Sequence, residues 1–204
     1  MRRSLLLAAV LTCGAIGPAM AQTKAAPLTW ATFSNPASTV QGGNINGFSY
    51  SEKAGDVVAS PPSVVAGMLF VRGNFVAKNA SAWSGLGVSV EAGNNQPIDA
   101  SSYKTLNIRL SALNTSRLRL RLNGTDDKVK NIGCYPSFVQ IVTSEERGYE
   151  IPLSKFASDG YCGVNSVDVA KTLQRLSSIE VADTSDPSKA RSSQFTISLI
   201  TLLP

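Results

Sequence analysis

Residues 104–122 read KTLNIRLSALNTSRLRLRL, and this stretch decides the fold class. Leucine or isoleucine stands at every second position of residues 106–110 and again of residues 117–122, with polar or basic residues between them. Successive side chains of a β-strand point to opposite sides, so this alternation predicts two strands that each have one apolar face. The Asn-Thr-Ser cluster at residues 114–116 is a turn signal that separates the strands.

The rest of the chain repeats this pattern of short strands between Gly, Asn, Asp and Ser clusters. About ten such strands predict an all-β fold, a β-sandwich or jelly roll, and one short helix is predicted at residues 167–173. The predicted strands are residues 29–33, 46–51, 65–71, 86–91, 104–110, 117–122, 138–143, 148–151, 178–182 and 195–202.

Three arginines occupy the polar side of the strand at residues 117–122. Arg117, Arg119 and Arg121 alternate with leucines, so they lie on the face opposite to the core. A two-sheet sandwich buries only its inner faces, which favours a solvated outer face on which these charges oppose edge-to-edge pairing. The alternative is that Arg119 and Arg121 line a groove for an acidic glycan.

The N-terminus has the pattern of a secretory signal peptide. Arg2 and Arg3 precede an apolar run at residues 5–16, and Ala-Met-Ala at residues 19–21 supplies the small residues of a cleavage site. We therefore predict a signal peptide at residues 1–21, a lead-in at residues 22–28 and one domain at residues 29–204. The protein is expected to be exported to the periplasm or beyond, and no second apolar stretch is long enough for a membrane helix.

The cysteine positions, the absence of histidine and the net charge limit the classes of function that the protein can have. Cys13 lies in the predicted signal peptide, so Cys134 and Cys162 are expected to form a disulfide in an oxidising compartment, a better interpretation than a metal site. The sequence has no histidine, which excludes Ser-His-Asp and Cys-His nucleophiles and zinc sites that need imidazole. The formal net charge is a mild +5, without the basic and aromatic clusters of a nucleic-acid surface.

Three segments carry a resemblance to known proteins. Residues 103–110 (YKTLNIRL) follow an Asp-x-Ser turn, residues 148–156 (GYEIPLSKF) contain an Ile-Pro-Leu-Ser motif, and residues 195–200 (FTISLI) have the pattern of a last strand. Together they resemble the galactose-binding-like sandwich of carbohydrate-binding modules, particularly family 11, and of the complex I intermediate-associated assembly-factor family. The resemblance spans residues 80–203. It implies a non-catalytic domain that binds a glycan on a concave sheet, or alternatively one that holds a protein partner.

The same resemblance suggests ligand-binding residues. In family 11 the loop after the Ile-Pro motif lies on the sugar-binding sheet, and here this loop retains Asp159 and Tyr161. Sugars present C–H groups to aromatic rings and hydroxyls to polar side chains, so both residue types are expected in the site. The candidate set is Tyr161, Asp159, Tyr135, Glu180, Asp183, Trp83 and Gln140.

Several of these candidates have a purely structural alternative. Trp83 is also suited to the core, because large aromatic side chains are usually buried. Tyr135 and Tyr161 each precede or follow a predicted half-cystine and are suited to covering the disulfide. Asp159 is followed by glycine, which is a turn signal.

A metal site and an active site are two further hypotheses. Sandwiches of this kind often hold a structural Ca²⁺, and the acids available for one are Asp126 with Asp127, or Asp183 with Asp186, although neither pair forms a spaced acidic loop. We expect no other cofactor. A carboxylate-dependent hydrolase or lyase, less favoured than a binding protein, requires two acids across a cleft, and Glu150 with Glu180 is the pair to test.

Overall fold

The computed structural model describes residues 25–34, 36–93 and 96–204. The predicted signal peptide and residues 22–24 of the lead-in lie outside the described residues. The strands are β1 Leu28–Thr32, β2 Ser38–Thr39, β3 Ile45–Ser51, β4 Val57–Ala59, β5 Ser63–Val65, β6 Met68–Phe75, β7 Ser84–Glu91, β8 Thr105–Leu113, β9 Arg117–Asn123, β10 Ser137–Ile141, β11 Arg147–Pro152, β12 Ser178–Asp183 and β13 Arg191–Leu203, and the helices are α1 Asp127–Asn131 and α2 Val169–Leu173.

These strands form two antiparallel sheets, which confirms the predicted β-sandwich. The five-stranded sheet has the order β10-β9-β12-β7-β3. In the eight-stranded sheet the long strand β13 pairs with β8 on one side, and with β6 and then β1 on the other. No helix within the described part of the chain is long and apolar enough to cross a membrane.

The main departure from the predicted strands is at residues 65–71. This segment contains a hairpin turn, because β5 ends at Val65 and β6 begins at Met68. Ala66 and Gly67 between them adopt positive φ angles of 50° and 81°. Two successive residues with positive φ make the tight turn whose twist suits a β-hairpin. The segment predicted as one strand therefore belongs to two strands. The short strands β2 and β4 and helix α1 were not predicted either.

The core lies between the two sheets and follows the alternation of the sequence. The apolar residues of β8 and β9 at positions 106, 108, 110, 118, 120 and 122 are all 0% exposed. Trp30 of β1 is also 0% exposed, and its indole Nε1 donates a hydrogen bond of 3.0 Å to the carbonyl of Val90 in β7. Because β1 and β7 belong to different sheets, this side chain links the two layers through the core.

Cys134 and Cys162 form a disulfide, as predicted. Cys162 is the buried residue of a 3-10 segment, Gly160–Asn165, whose other residues are exposed. The cross-link therefore holds an otherwise exposed segment against the end of β9 and β10.

Reduction of this disulfide is expected to destabilise the fold. The bridge spans 28 positions of sequence, and a loop of that size corresponds to about 3.5 kcal/mol in the chain-entropy model. We expect the melting temperature to fall on adding reductant, and the non-reduced protein to be two protons lighter by intact mass. A Cys134→Ser, Cys162→Ser variant is the control, since its melting temperature should not respond to reductant. Two free thiols in protein purified without reductant would contradict the assignment.

Candidate functional site

The outer face of the five-stranded sheet collects polar and aromatic side chains. The aliphatic residues of β9, β12 and β7 point into the core, so the residues that alternate with them point outward. Strand register then places Arg121, Glu180 and Ser89 in one row across the sheet. The outer face consists of Asn46, Phe48 and Tyr50 of β3, Gly85, Gly87, Ser89 and Glu91 of β7, Ser178, Glu180 and Ala182 of β12, Arg117, Arg119, Arg121 and Asn123 of β9, and Ser137, Val139 and Ile141 of β10.

Three aromatic residues form a platform at one end of this outer face. The rings of Phe48 and Tyr50 have centroids 6.3 Å apart and planes only 13° apart. The Trp83 ring lies 6.1 Å from that of Tyr50 and is 55% exposed, which excludes the core position considered for it. Phe48 and Tyr50 are half-buried. The three residues, which we call the aromatic platform, therefore present ring surface to solvent.

Two glycines allow the rings of the platform to lie on the sheet. A Cβ atom at Gly87 would come within 2.7 Å of the Phe48 ring and 2.5 Å of the Val181 carbonyl oxygen. A Cβ atom at Gly85 would overlap the phenol ring of Tyr50. Glycine within a strand commonly marks such a close approach. The Gly-Leu-Gly sequence of β7 thus makes room for the platform.

A hydrogen-bonded loop holds Trp83 in place. The backbone N–H of Glu52 donates to the carbonyl of Trp83 at 3.0 Å. Behind it, the carboxylate of Asp56 accepts from the backbone N–H groups of Asn79 and Ser81 at 2.8 and 2.9 Å, and from the Ser81 hydroxyl at 2.7 Å. Burial acts to raise the pKa of Asp56, but these hydrogen bonds outweigh it and hold the pKa below the usual value. The loop before β7 is therefore tied to the loop after β3.

The centre of the outer face is a buried ion pair. Arg121 Nη1 lies 3.6 Å from Glu180 Oε2, and the two side chains are 9% and 12% exposed. Within the described part of the chain, Arg121 Nε and the neighbouring Ser89 Oγ have no hydrogen-bond partner. Burial, and then the charge of Arg119, lower the pKa of Arg121, and Glu180 opposes this shift. The expectation that the arginine face is simply solvated is therefore wrong for Arg121.

Arg119 connects this charged centre to the aromatic platform. Its Nη2 donates a hydrogen bond of 2.7 Å to the Tyr50 hydroxyl, and its guanidinium carbon lies 5.9 Å from the Tyr50 ring centroid. Arg119 forms no ion pair with any carboxylate of the described residues. Arg119 is half-buried, so part of the residue is accessible to solvent beside the rings.

Two of the predicted ligand residues border the other end of the face. Tyr161 is 68% exposed, and its hydroxyl donates to the carbonyl of Gly133 at 3.1 Å. Tyr161 and Arg121 both lie close to Gly133. A Cβ atom at Gly133 would be 3.0 Å from the Tyr161 hydroxyl and 3.1 Å from Arg121 Nη2. Asp159 accepts a hydrogen bond of 3.4 Å from Ser137, whose neighbour across the sheet is Arg121. The structure thus places Tyr161, Asp159, Glu180 and Trp83 around one face.

The structure does not bring the other three predicted ligand residues to this face. Tyr135 is 3% exposed, and burial raises the pKa of its hydroxyl, so the ring is a packing residue beside the disulfide. Asp183 is 0% exposed and forms an ion pair of 2.6 Å with Arg191. Gln140 is paired with Leu118 across β9 and β10 and therefore lies on the core side of an edge strand.

Three of the four acids considered for calcium have other partners in the structure. The Asp126 carboxylate caps the N-terminus of α1. Asp183 is neutralised by Arg191, and Asp186 lies 3.2 Å from the ammonium of Lys189. No group of three or more metal-ligating His, Cys, Asp or Glu residues occurs among the described residues.

The acid pair considered for catalysis is separated by the sandwich itself. Glu150 lies in β11 of the eight-stranded sheet, where it pairs with Asn107 on the outer side. Glu180 lies on the outer face of the five-stranded sheet. Acids on opposite outer faces cannot flank one glycosidic bond, so this pair is excluded as a catalytic pair.

Solved structures with this fold include several carbohydrate-binding modules. A family 30 module of the cellulase Cel9D-Cel44B of Clostridium thermocellum superimposes with a TM-score of 0.53 and 12% identity, over 87% of this chain and 97% of that chain. A family 11 module from the same organism, in complex with a β-1,3-1,4-mixed-linked tetrasaccharide, has a TM-score of 0.52 and 15% identity, over 78% and 88%. The chain shares the β-sandwich fold of these modules.

Sequence comparison adds no closer relationship. No protein-family model matches the chain, and no curated protein matches it. The structural comparisons support the carbohydrate-binding-module half of the resemblance and do not support the assembly-factor half. At identities of 12–15% they establish the module fold alone, so the ligand has to be argued from the residues of the outer face.

Proposed function

We propose that this protein is a non-catalytic carbohydrate-binding module that binds a polysaccharide along the outer face of the five-stranded sheet. The observation that carries this proposal is the solvent-facing aromatic platform beside hydrogen-bonding charged groups. A pyranose ring stacks its C–H surface on an aromatic ring and directs its hydroxyls outward to polar side chains. Trp83 and Tyr50 supply the first kind of contact, and Arg119 and Glu180 supply the second.

The dimensions of the face suit a chain-like ligand. Gly85 lies beneath the platform, and Glu91 at the opposite end of β7 is six positions further along, which corresponds to about 20 Å along the strand. A cavity of about 340 Å³, lined by residues that include Glu91, Lys130 and Ser178, lies at that opposite end. A polysaccharide segment is long enough to span from the platform to this cavity, whereas a single sugar is not.

The arrangement of acids favours binding over hydrolysis. Glu180 is held in an ion pair with Arg121, and the acid proposed as its catalytic partner lies on the opposite sheet. A carboxylate held in this way can accept hydrogen bonds from sugar hydroxyls. We further propose that the module acts outside the cytoplasm, which the signal-peptide pattern and the disulfide support.

A second candidate function, binding of a protein partner, has one observation in its favour. Val139 and Ile141 on the edge strand β10 are 40% and 60% exposed on the same outer face. Exposed aliphatic residues at a sheet edge are suited to protein contacts. The binding experiment below separates the two functions.

The proposal is tested by affinity electrophoresis of the mature protein on a panel of soluble polysaccharides, followed by calorimetry on those that bind. Trp83→Ala should weaken binding about tenfold because it removes one stacking surface, and its melting temperature should not change. Phe70→Ala is the matched control, since Phe70 lies half-buried on the outer side of the eight-stranded sheet. Equal affinity in both variants would contradict the assigned face. A folded protein that binds no polysaccharide would favour the protein partner.

A further inference from the structure

We propose that the polysaccharide bound by the outer face is acidic, and that Arg119 binds its carboxylate or sulfate groups. This inference rests on the proposed function, because it specifies the charge of the ligand of the same site. It follows from how positive and negative charges are distributed along the face.

The half of the outer face that carries the aromatic platform is positively charged. Arg117 is level with Tyr50 and Gly85, and Arg119 is level with Phe48 and Gly87, one row further along the sheet. The acids of the face lie beyond them, with Glu180 in the row of Arg121 and Glu91 in the row of Asn123.

Asp183, which follows Ala182 on β12, points inward and pairs with Arg191. Beside Trp83, the Glu52 carboxylate already accepts a backbone N–H at 2.7 Å.

Arg121 and Arg119 differ in how their charges are compensated. Arg121 is buried against Glu180 at 3.6 Å, so the face already contains its counter-charge. Arg119 donates to the Tyr50 hydroxyl, which is neutral, and to no described carboxylate. A guanidinium has five N–H donors in a planar fork, and a planar anion engages two of them at once. Arg119 therefore has unused donors of the geometry that suits an acidic group.

The neighbourhood of Arg119 strengthens its attraction for an anion. The buried charge of Arg121 lies on the same strand two residues away, and the two positive charges repel each other. Burial is the main cause of the lowered pKa of Arg121, and the charge of Arg119 adds to it. Arg121 Nε is also left without a partner in the described structure, although the residue is only 7% exposed. An anionic ligand placed over Arg119 relieves this repulsion, whereas a neutral sugar does not. Low dielectric beside the rings makes the effect larger than in open water.

The position of Arg119 also fits the proposed mode of stacking. Its hydrogen bond to Tyr50 places the guanidinium at the margin of the aromatic platform. A sugar ring stacked on the platform directs its exocyclic groups to that margin. An acidic group carried on the sugar ring, such as the carboxylate of a uronic acid or a sulfate ester, would then meet Arg119 while the ring remains on Tyr50 and Trp83.

The test compares acidic polymers with their neutral parents. Polygalacturonate is measured against its fully methyl-esterified form, and dextran sulfate against dextran, by affinity electrophoresis and calorimetry at two salt concentrations. We expect at least one acidic polymer to bind about tenfold more tightly than its neutral parent, and this difference to decrease with added salt. The pair that shows the difference identifies the anion as a carboxylate or a sulfate.

Three variants decide whether Arg119 is responsible. Arg119→Gln should abolish the preference for the acidic polymer, and Arg119→Lys should retain part of it, because the charge remains without the planar fork. Arg109→Gln removes the same charge from the outer side of the eight-stranded sheet, where Arg109 pairs with Glu146, and should leave the preference unchanged. Melting temperatures establish that each variant is folded.

Three results would overturn the inference, and they differ in whether they also overturn the proposed function. Equal binding to acidic and neutral polymers, with Trp83→Ala still weakened, would refute an acidic ligand and leave the proposed function intact. Equal losses in Arg109→Gln and Arg119→Gln would show diffuse charge attraction in place of a site at Arg119. Absence of binding to every polymer, charged or neutral, would refute the proposed function and this inference with it.

Discussion

Replacing Trp30 with alanine is expected to lower the free energy of unfolding by about 3 to 5 kcal/mol, as for other large aromatic residues removed from cores. Trp30 is 0% exposed, and its indole bonds to the Val90 carbonyl across the two sheets. Its removal leaves a cavity and breaks a link between the layers. The free energy of unfolding of a small domain is about 5 to 15 kcal/mol in total. A loss of this size should therefore give a large decrease in the denaturant concentration at the unfolding midpoint.

The second tryptophan of the chain is the natural control for this prediction. Trp83 is 55% exposed on the aromatic platform, so Trp83→Ala should change stability by no more than about 0.5 kcal/mol. The two variants should therefore separate stability from binding, with the first losing stability and the second losing affinity. Similar losses of stability in both would mean that one of the two tryptophans is wrongly placed.

The fold was predictable because it depends on a local property of the sequence. Alternation in a strand determines which side chains share a face, whatever strands lie beside it. The leucines of β9 are accordingly all in the core, and the arginines between them are all on the outer face. The predicted strand at residues 65–71 was wrong for a local reason as well, because Ala66 and Gly67 turn the chain with positive φ.

The aromatic platform was not predicted, because it depends on which strands become neighbours. Phe48 and Tyr50 are ordinary strand residues until β3 pairs with β7 and places them above Gly85 and Gly87. The sequence does contain a signal, since glycine at alternate positions of a strand indicates a close approach of another group. It does not show which group approaches.

The charged residues illustrate the same distinction between local and cross-strand information. Glu180 and Asp183 are three positions apart, so within one extended strand they face opposite sides, and the structure places the first on the outer face and the second inside. This difference was predictable from spacing alone. The burial of Arg121 was not, because it depends on Glu180 as its neighbour across β12.

Replacing Glu180 alone with leucine is expected to cost about 3 to 5 kcal/mol of stability, because it leaves the buried charge of Arg121 without a partner. The double variant Arg121→Met, Glu180→Leu removes both charges and fills a similar volume. Such replacements are often neutral or stabilising, so its unfolding free energy should lie within about 1 kcal/mol of the wild type. Denaturant titration of the wild type and both variants measures the difference.

The double variant also separates the effect of this ion pair on stability from its effect on ligand binding. Arg119, the aromatic platform and Ser89 remain in it, but the charged side chains of Arg121 and Glu180 are replaced by apolar ones. We therefore expect a folded protein that binds polysaccharide more weakly than the wild type, because sugar hydroxyls lose their hydrogen-bonding partners at the centre of the face. Unchanged stability in the single Glu180→Leu variant would show that Arg121 reaches solvent or another acid. Unchanged affinity in the double variant would restrict the ligand to the platform and Arg119.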